Sequence, residues 1–300
     1  MIWLLVTVSA YFFYAIVGIV DKYLLKSLIP NAKVYAFYIG LLSILALFLI
    51  PLGFSIPDPI QLLLSLLAGA ISIFAILGFF RALRLFEISR VMPAIGGLIP
   101  LFTFGLVYLF SFGKETLTFW ELVAFLLLVG GSVLIVFEKE KLVTLKSLQI
   151  AALAAFLYAL FYTLAKFVYL EQSFWSGFIW MRIGAFLAAL FFLFSKEVRE
   201  EIFKEQVSFK PKTMRIFLSN QGFAVGALVL QNWAIALVPL GLLPFVNALE
   251  GTKYVFVLIF AVLFSLKFPQ ILKEEISKPI IIQKIISILL IGAGLALLVL

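Results

Sequence analysis

The sequence has no cysteine and no histidine, and only two of its 300 residues are aspartate. Without thiols there is no disulfide framework and no thiolate metal site. Without imidazole there is no His-ligated metal and no Ser-His or Cys-His catalytic pair. Asp21 and Asp58 stand far apart at positions that read as loops, so the clustered carboxylates of Mg²⁺-phosphate chemistry are missing too. No Gly-Lys-Ser/Thr phosphate loop occurs, which excludes ATP hydrolysis by a P-loop. Charge is scarce: 13% of residues are charged, 65% are hydrophobic, and the mean hydropathy is +1.21. A soluble domain is only about half apolar. These absences argue against an enzyme, call for no cofactor and no metal, and leave an all-α integral membrane protein.

What is present is a series of apolar windows. Ten segments are long enough to cross a bilayer, at 2–20, 34–53, 60–80, 91–112, 119–137, 148–168, 173–194, 216–238, 242–266 and 282–300. The start, Met1-Ile2-Trp3-Leu4, lacks a basic region and a small-residue cleavage site, so it reads as a retained first helix. The polar stretch from Lys196 to Arg215 reads as a solvated loop with a short surface helix.

The segments repeat. Ala10, Phe12, Tyr14, Ala15 and Lys22 recur as Ala154, Phe156, Tyr158, Ala159 and Lys166, at a constant offset of 144. Pro93, Gly96, Gly97 and Pro100 of the fourth segment answer to Pro244 and Gly251 of the ninth, and Gly130-Gly131 to Gly292-Ala293-Gly294. Residues 1–141 and 142–300 then form two copies of five spans. Five is odd, so the second copy enters the membrane inverted, a construction typical of alternating-access transporters.

Four short features add to this pattern: Arg81-Ala82-Leu83-Arg84 closing the third segment, Pro100 within the fourth, Gly113-Lys114-Glu115 after it, and Gly130-Gly131 in the fifth. In their order and spacing the chain resembles the drug/metabolite transporter superfamily, in particular its ten-helix EamA-like members, over almost its whole length. The resemblance implies helices 1, 3, 4, 6, 8 and 9 around a central cavity, helices 5 and 10 outside, and both termini inside. The second copy departs from the pattern, with Leu266-Lys267-Phe268-Pro269 where a short Gly-Glu-Arg-like turn is expected. Charge contradicts the implied orientation. Of 23 Lys and Arg, 19 flank one face, while Lys114 and Lys166 lie on the other, which places both termini outside. The +8 net charge is thus explained by anchoring in a cell membrane, without nucleic acid as a partner.

Three ionisable residues sit inside spans: Arg182, Glu250 and Lys253. A charge at the bilayer centre costs at least ~2.5 kcal/mol and normally faces a partner or a wet cavity. Glu250 and Lys253 share a helix face at i,i+3, beside a Pro244/Gly251 break, and the plain alternative is that they neutralise each other. Arg182 lies at the depth of Glu250, about 12 Å from one face, and is expected to pair with it. Tyr14 and Tyr158, equivalent in the two copies, offer a hydroxyl and an aromatic face to an organic solute. Asn247 in the break and Gln221 in the eighth segment complete the expected substrate site, while Pro93, Pro100, Pro244 and Gly251 read as hinges.

A net +1 near the midplane suits an anionic or zwitterionic metabolite. The expected function is therefore a secondary transporter of such a small molecule, with a flippase for a lipid or lipid-linked substrate as the alternative. Proton coupling through Glu250 and assembly as a homodimer both stay open.

Overall fold

The structure, a computed structural model, describes residues 2–27, 31–85, 88–136, 145–203, 211–267 and 278–299. Helices account for nearly all of them, and no strand occurs among the described residues. In chain order they are α1 (Ile2–Ser27), α2 (Ala32–Leu42, continued by tighter 3₁₀ turns over Ser43–Leu52), α3 (Pro59–Leu85), α4 (Ile88–Phe110), α5 (Phe119–Val136) and α6 (Leu145–Glu171). Then come α7 (Phe174–Leu190, continued over Phe191–Phe194), α8 (Lys196–Phe203), α9 (Pro211–Leu237), α10 (Leu243–Ala248), α11 (Gly251–Lys267) and α12 (Lys278–Val299). Among the described residues, six stretches are long and apolar enough to cross a membrane: Ile2–Asp21, Ala32–Leu52, Pro59–Ala82, Leu148–Glu171, Phe174–Phe194 and Leu240–Phe260. Ala94–Phe110, Phe119–Ile135 and Ile282–Leu298 are shorter apolar helices.

Local chemistry sets several helix starts. Asn31 caps α2, its side chain accepting from Lys33 N at 3.0 Å. Asp58 Oδ1 accepts from Ile60 N and Gln61 N at the head of α3. Thr118 and Glu121 form a reciprocal capping box ahead of α5, with Thr118 N on Glu121 Oε2 at 2.7 Å. The short helix expected after the seventh segment is present as α8, but it is docked: Val198 and Ile202 are buried, Lys33 pairs with Glu197 at 2.6 Å, and Asn31 donates to Glu201. The region expected to depart from the family pattern around 268–277 lies outside the described residues.

Small residues bring the helices together, as apolar helices in lipid require. Gly69 of α3 abuts the Met181 carbonyl and Gly184 of α7 abuts the Leu66 backbone, so neither position has room for a methyl group. On α5, a methyl at Gly131 would stand 2.8 Å from Ile291 Cγ1 and 3.0 Å from the Ser287 carbonyl oxygen. On α12, a methyl at Gly294 would stand 2.8 Å from Leu128 Cγ and 3.0 Å from the Ala124 carbonyl oxygen. Each glycine thus meets the residues three and seven positions before the other. Valine at either site is expected to cost similar amounts, about 1–3 kcal/mol of overpacking. Thermal unfolding of Gly131→Val and Gly294→Val in detergent checks this, with Gly130→Ala and Gly292→Ala, which face open space, as neutral controls.

Candidate functional site

The ninth segment is broken where the sequence predicts. Pro244 sits in the first turn of α10, where its missing N–H is harmless. Leu249 N still bonds four residues back to Phe245 O at 3.0 Å. Glu250 N, Thr252 N and Lys253 N then bond only three back, to Asn247, Leu249 and Glu250. This tightening strips the Val246 and Ala248 carbonyls of their helical donors, and side chains from other helices replace them. Tyr11 of α1 donates to Val246 O at 2.9 Å, and Ser132 of α5 donates to Ala248 O at 3.0 Å. Gly251 abuts Ser132 Oγ, so this approach needs glycine. The carbonyls freed by the break are thus answered by the protein itself. The matching interruption expected in the fourth segment is not seen: α4 runs unbroken through Pro93 and Pro100.

At the break, Lys253 Nζ donates to Glu250 Oε1, and the Tyr254 hydroxyl donates to the same oxygen at 3.4 Å. The two charged side chains are 15% and 13% exposed. Lys253 Nζ also stands 4.8 Å from the Tyr254 ring centroid. Glu250 is within electrostatic reach of the hydroxyls of Tyr11, Tyr14, Tyr158 and Tyr162. Tyr11 and Tyr14 have ring centroids 6.4 Å apart; Tyr158 stacks on Tyr162 at 5.9 Å, and Gln231 Nε2 donates to the Tyr162 hydroxyl. Side chains of α1, α6, α9 and α11 therefore gather around one part-buried ion pair, walled by tyrosines.

Arg182 does not join that pair. It is 4% exposed and makes no hydrogen bond or ion pair with any described residue, and its Nε and Nη2 are buried without a partner. The expected Arg182–Glu250 bridge is therefore corrected. Equal depth along two helices does not bring two side chains to one face, and Glu250 is held by the nearer Lys253. Around Arg182 are the Phe178 ring, 5.6 Å from the guanidinium carbon, and the hydroxyls of Tyr14 and Tyr169 within electrostatic reach. Tyr169 donates to Asn232 Oδ1 at 2.9 Å. The tight crossing at Gly69 and Gly184 holds the backbone on both sides of Arg182 against α3. Tyr14 links the two centres, lying within reach of both Arg182 and Glu250.

Asn247 is buried and donates to Thr103 Oγ1 at 2.8 Å, leaving its Oδ1 without a partner. Gln221 is buried on α9 beside Asn220. Two charged residues escaped the sequence reading. Lys166 is buried, with the Ala236 carbonyl at 3.0 Å as its acceptor. Asp21, expected in a loop, lies inside α1 and accepts from Tyr35 and Asn220. Helix length would have revealed Asp21: the helix outruns the apolar letters that bounded the first segment. A groove of about 330 Å³ between α3, α4 and α6, lined by Gln61, Glu171, Leu64, Phe110 and Phe167, holds none of the expected site residues.

Neither a family model nor a curated protein matches the sequence. One solved crystal structure superposes over 98% of this chain and 96% of its own, with a TM-score of 0.63 and 17% identity. At that identity the likeness concerns the fold alone.

Proposed function

We propose that the chain is a secondary transporter of EamA-like architecture, with ten spans in two inverted copies, 1–141 and 142–300. It moves a small anionic or zwitterionic organic metabolite across the membrane by alternating access. The observation that carries the reading is Arg182: a guanidinium that is buried, unpaired among the described residues and flanked by aromatic hydroxyls lacks one thing, an anion. A carboxylate or phosphate of the substrate supplies it. Tyr14 and Tyr158 flank the organic body, and the Glu250–Lys253 pair borders it on the α11 side. The reciprocal contacts of Gly131 and Gly294 support the inverted repeat. So does the Thr103–Asn247 bond, since the two residues are separated by the repeat offset of 144. Residues that meet their own counterparts are what a two-fold axis between copies produces. The bias of Lys and Arg supports both termini outside.

A thermal-stability screen of the purified protein against amino acids, organic acids, sugar phosphates, nucleosides and neutral sugars tests this. Anionic or zwitterionic solutes are expected to stabilise it, by about 2.7 kcal/mol at 100 times the dissociation constant. Stabilisation by neutral sugars alone overturns the substrate class. Stabilisation by lipids alone replaces the reading with a flippase, for which the groove at Gln61 and Glu171 is the candidate entry.

A further inference from the structure

One polar cluster is left unused by the site above. It joins Asp21 of α1, Tyr35 of α2 and Asn220 of α9. The Tyr35 hydroxyl donates to Asp21 Oδ1 at 2.5 Å, and Asn220 Nδ2 donates to the same oxygen at 2.7 Å. Tyr35 is fully buried, with the rings of Phe80 and Phe217 edge-on at 4.7 and 5.5 Å, and Asn220 is 3% exposed. The carboxylate is thus held by two neutral donors in an apolar end of the bundle. No described cation pairs with it. Lys33 of α2 is bonded to Glu197 and Ser195, and Arg215 of α9 and Arg81 of α3 are exposed. Among the described residues, the other titratable groups facing it are the Tyr35 hydroxyl from α2 and, within electrostatic reach, that of Tyr158 from α6.

The hydrogen-bond inventory of this cluster does not close. Against a charged carboxylate the Asn220 amide must present its NH₂, which turns its Oδ1 away, and that oxygen is buried with no donor. Among the described residues, one charge lacks a counter-charge and one acceptor lacks a donor. A single added proton cures both: on Asp21 it cancels the charge and creates an O–H donor, to which Asn220 can present its oxygen by turning its amide over.

We propose that Asp21 is the site at which this protein takes up and releases a coupling proton. Glu250, the carboxylate first expected in that role, is already neutralised by Lys253. The step is a protonation of one Asp21 carboxylate oxygen from water at that end of the bundle, and no other covalent bond changes. The consequence follows from what Asp21 joins. While charged, the carboxylate has no described counter-charge in an apolar setting, and hydration on parting α1 from α2 and α9 relieves that cost. Once protonated, it carries no charge to desolvate, and the α1 end stays closed against α2 and α9. Closure of that end is thereby tied to proton uptake and opening to proton release, and Tyr158 lies within reach of both Asp21 and Glu250. The role as a coupling site rests on the transport reading, but the protonation itself does not.

The test needs no substrate. Infrared difference spectra of the purified protein between neutral and acidic buffer should show the carbonyl stretch of a protonated carboxyl. That band should vanish in Asp21→Asn and persist in Tyr35→Phe, which keeps the carboxylate and so separates a lost proton from a lost fold. Since the chain has no native cysteine, a single cysteine at buried Ala36 reports opening. Its maleimide labelling, divided by that of exposed Ser219→Cys, should fall severalfold on acidification, and should be low at every pH once Asp21→Asn is added. A band unaffected by Asp21→Asn, or labelling that follows sodium against choline chloride instead of pH, overturns the proposal. Failure here leaves the ligand screen free to succeed, and failure of that screen leaves this protonation intact, so the two readings fall separately.

Discussion

Replacing Arg182 by methionine is expected to abolish transport of whichever anionic solute the screen identifies, and at the same time to raise the thermal stability of the ligand-free protein. The two effects have one cause. A buried guanidinium without a carboxylate leaves a charge and several N–H donors desolvated, a penalty of several kcal/mol that is only partly relieved by the Phe178 ring and nearby tyrosine dipoles. Methionine fills similar space with no polar atom. Replacing buried charge by apolar residues of similar volume stabilises proteins by about 1–4 kcal/mol in the best-studied cases, and a gain of that order is expected here. The loss of function should be near complete, since the substrate's negative group then enters an apolar wall with no cation to meet it. Arg182→Lys keeps the charge but loses the planar fork, so weak binding at unchanged selectivity is expected. Liposome counterflow and melting curves read the two axes separately. A methionine variant that melts lower than the parent would show that Arg182 has a structural partner, and the anion site would have to be sought elsewhere, beginning with Lys166.

The sequence made some of this legible and hid the rest for definable reasons. The apolar windows and the proline-glycine punctuation of the ninth segment are one-dimensional features: among the described residues, nine of the ten windows coincide with apolar helices, six of them long and apolar enough to cross a membrane, and the punctuation reappears as the α10–α11 break at Leu249 and Glu250. The Glu250–Lys253 pair was also readable, because i,i+3 spacing on one helix needs no tertiary information. Arg182 was expected at the depth of Glu250 and was given the wrong partner. Depth follows from counting residues along a helix, whereas which way a helix is rotated depends on contacts such as those at Gly69 and Gly184. Asp21 was missed because hydropathy ends a segment at the first charge, while the helix continues to Ser27 and holds that half-buried charge against Tyr35 and Asn220. Tyr11, which answers the Val246 carbonyl, has alanine at the repeat-equivalent position 155, so internal comparison singled out Tyr14 instead.

The Glu250–Lys253 pair should behave in the opposite way to Arg182. Each partner is the other's counter-ion in a nearly buried setting, so removing one leaves an uncompensated charge, and Glu250→Gln is expected to cost about 3–5 kcal/mol. Lys253→Gln should cost less. The orphaned carboxylate can still accept from the Tyr254 hydroxyl, with four further tyrosine hydroxyls in electrostatic reach, whereas the orphaned ammonium has three donors and no acceptor of its own to adapt. The double variant Glu250→Gln/Lys253→Gln removes both charges together and is expected to recover most of the loss, giving a strongly non-additive cycle. Its ligand response then assigns the pair. Both charges are satisfied without ligand, so stabilisation by anions should survive in the double variant as long as Arg182 is present. If the double variant regains its melting temperature but no longer responds to any solute that stabilises the parent, then Glu250 and Lys253 open their bridge to bind substrate, and the anion site extends from Arg182 across Tyr14 to α11. Additive single and double effects would instead show that the pair contributes no mutual stabilisation, which its contact geometry and burial do not allow.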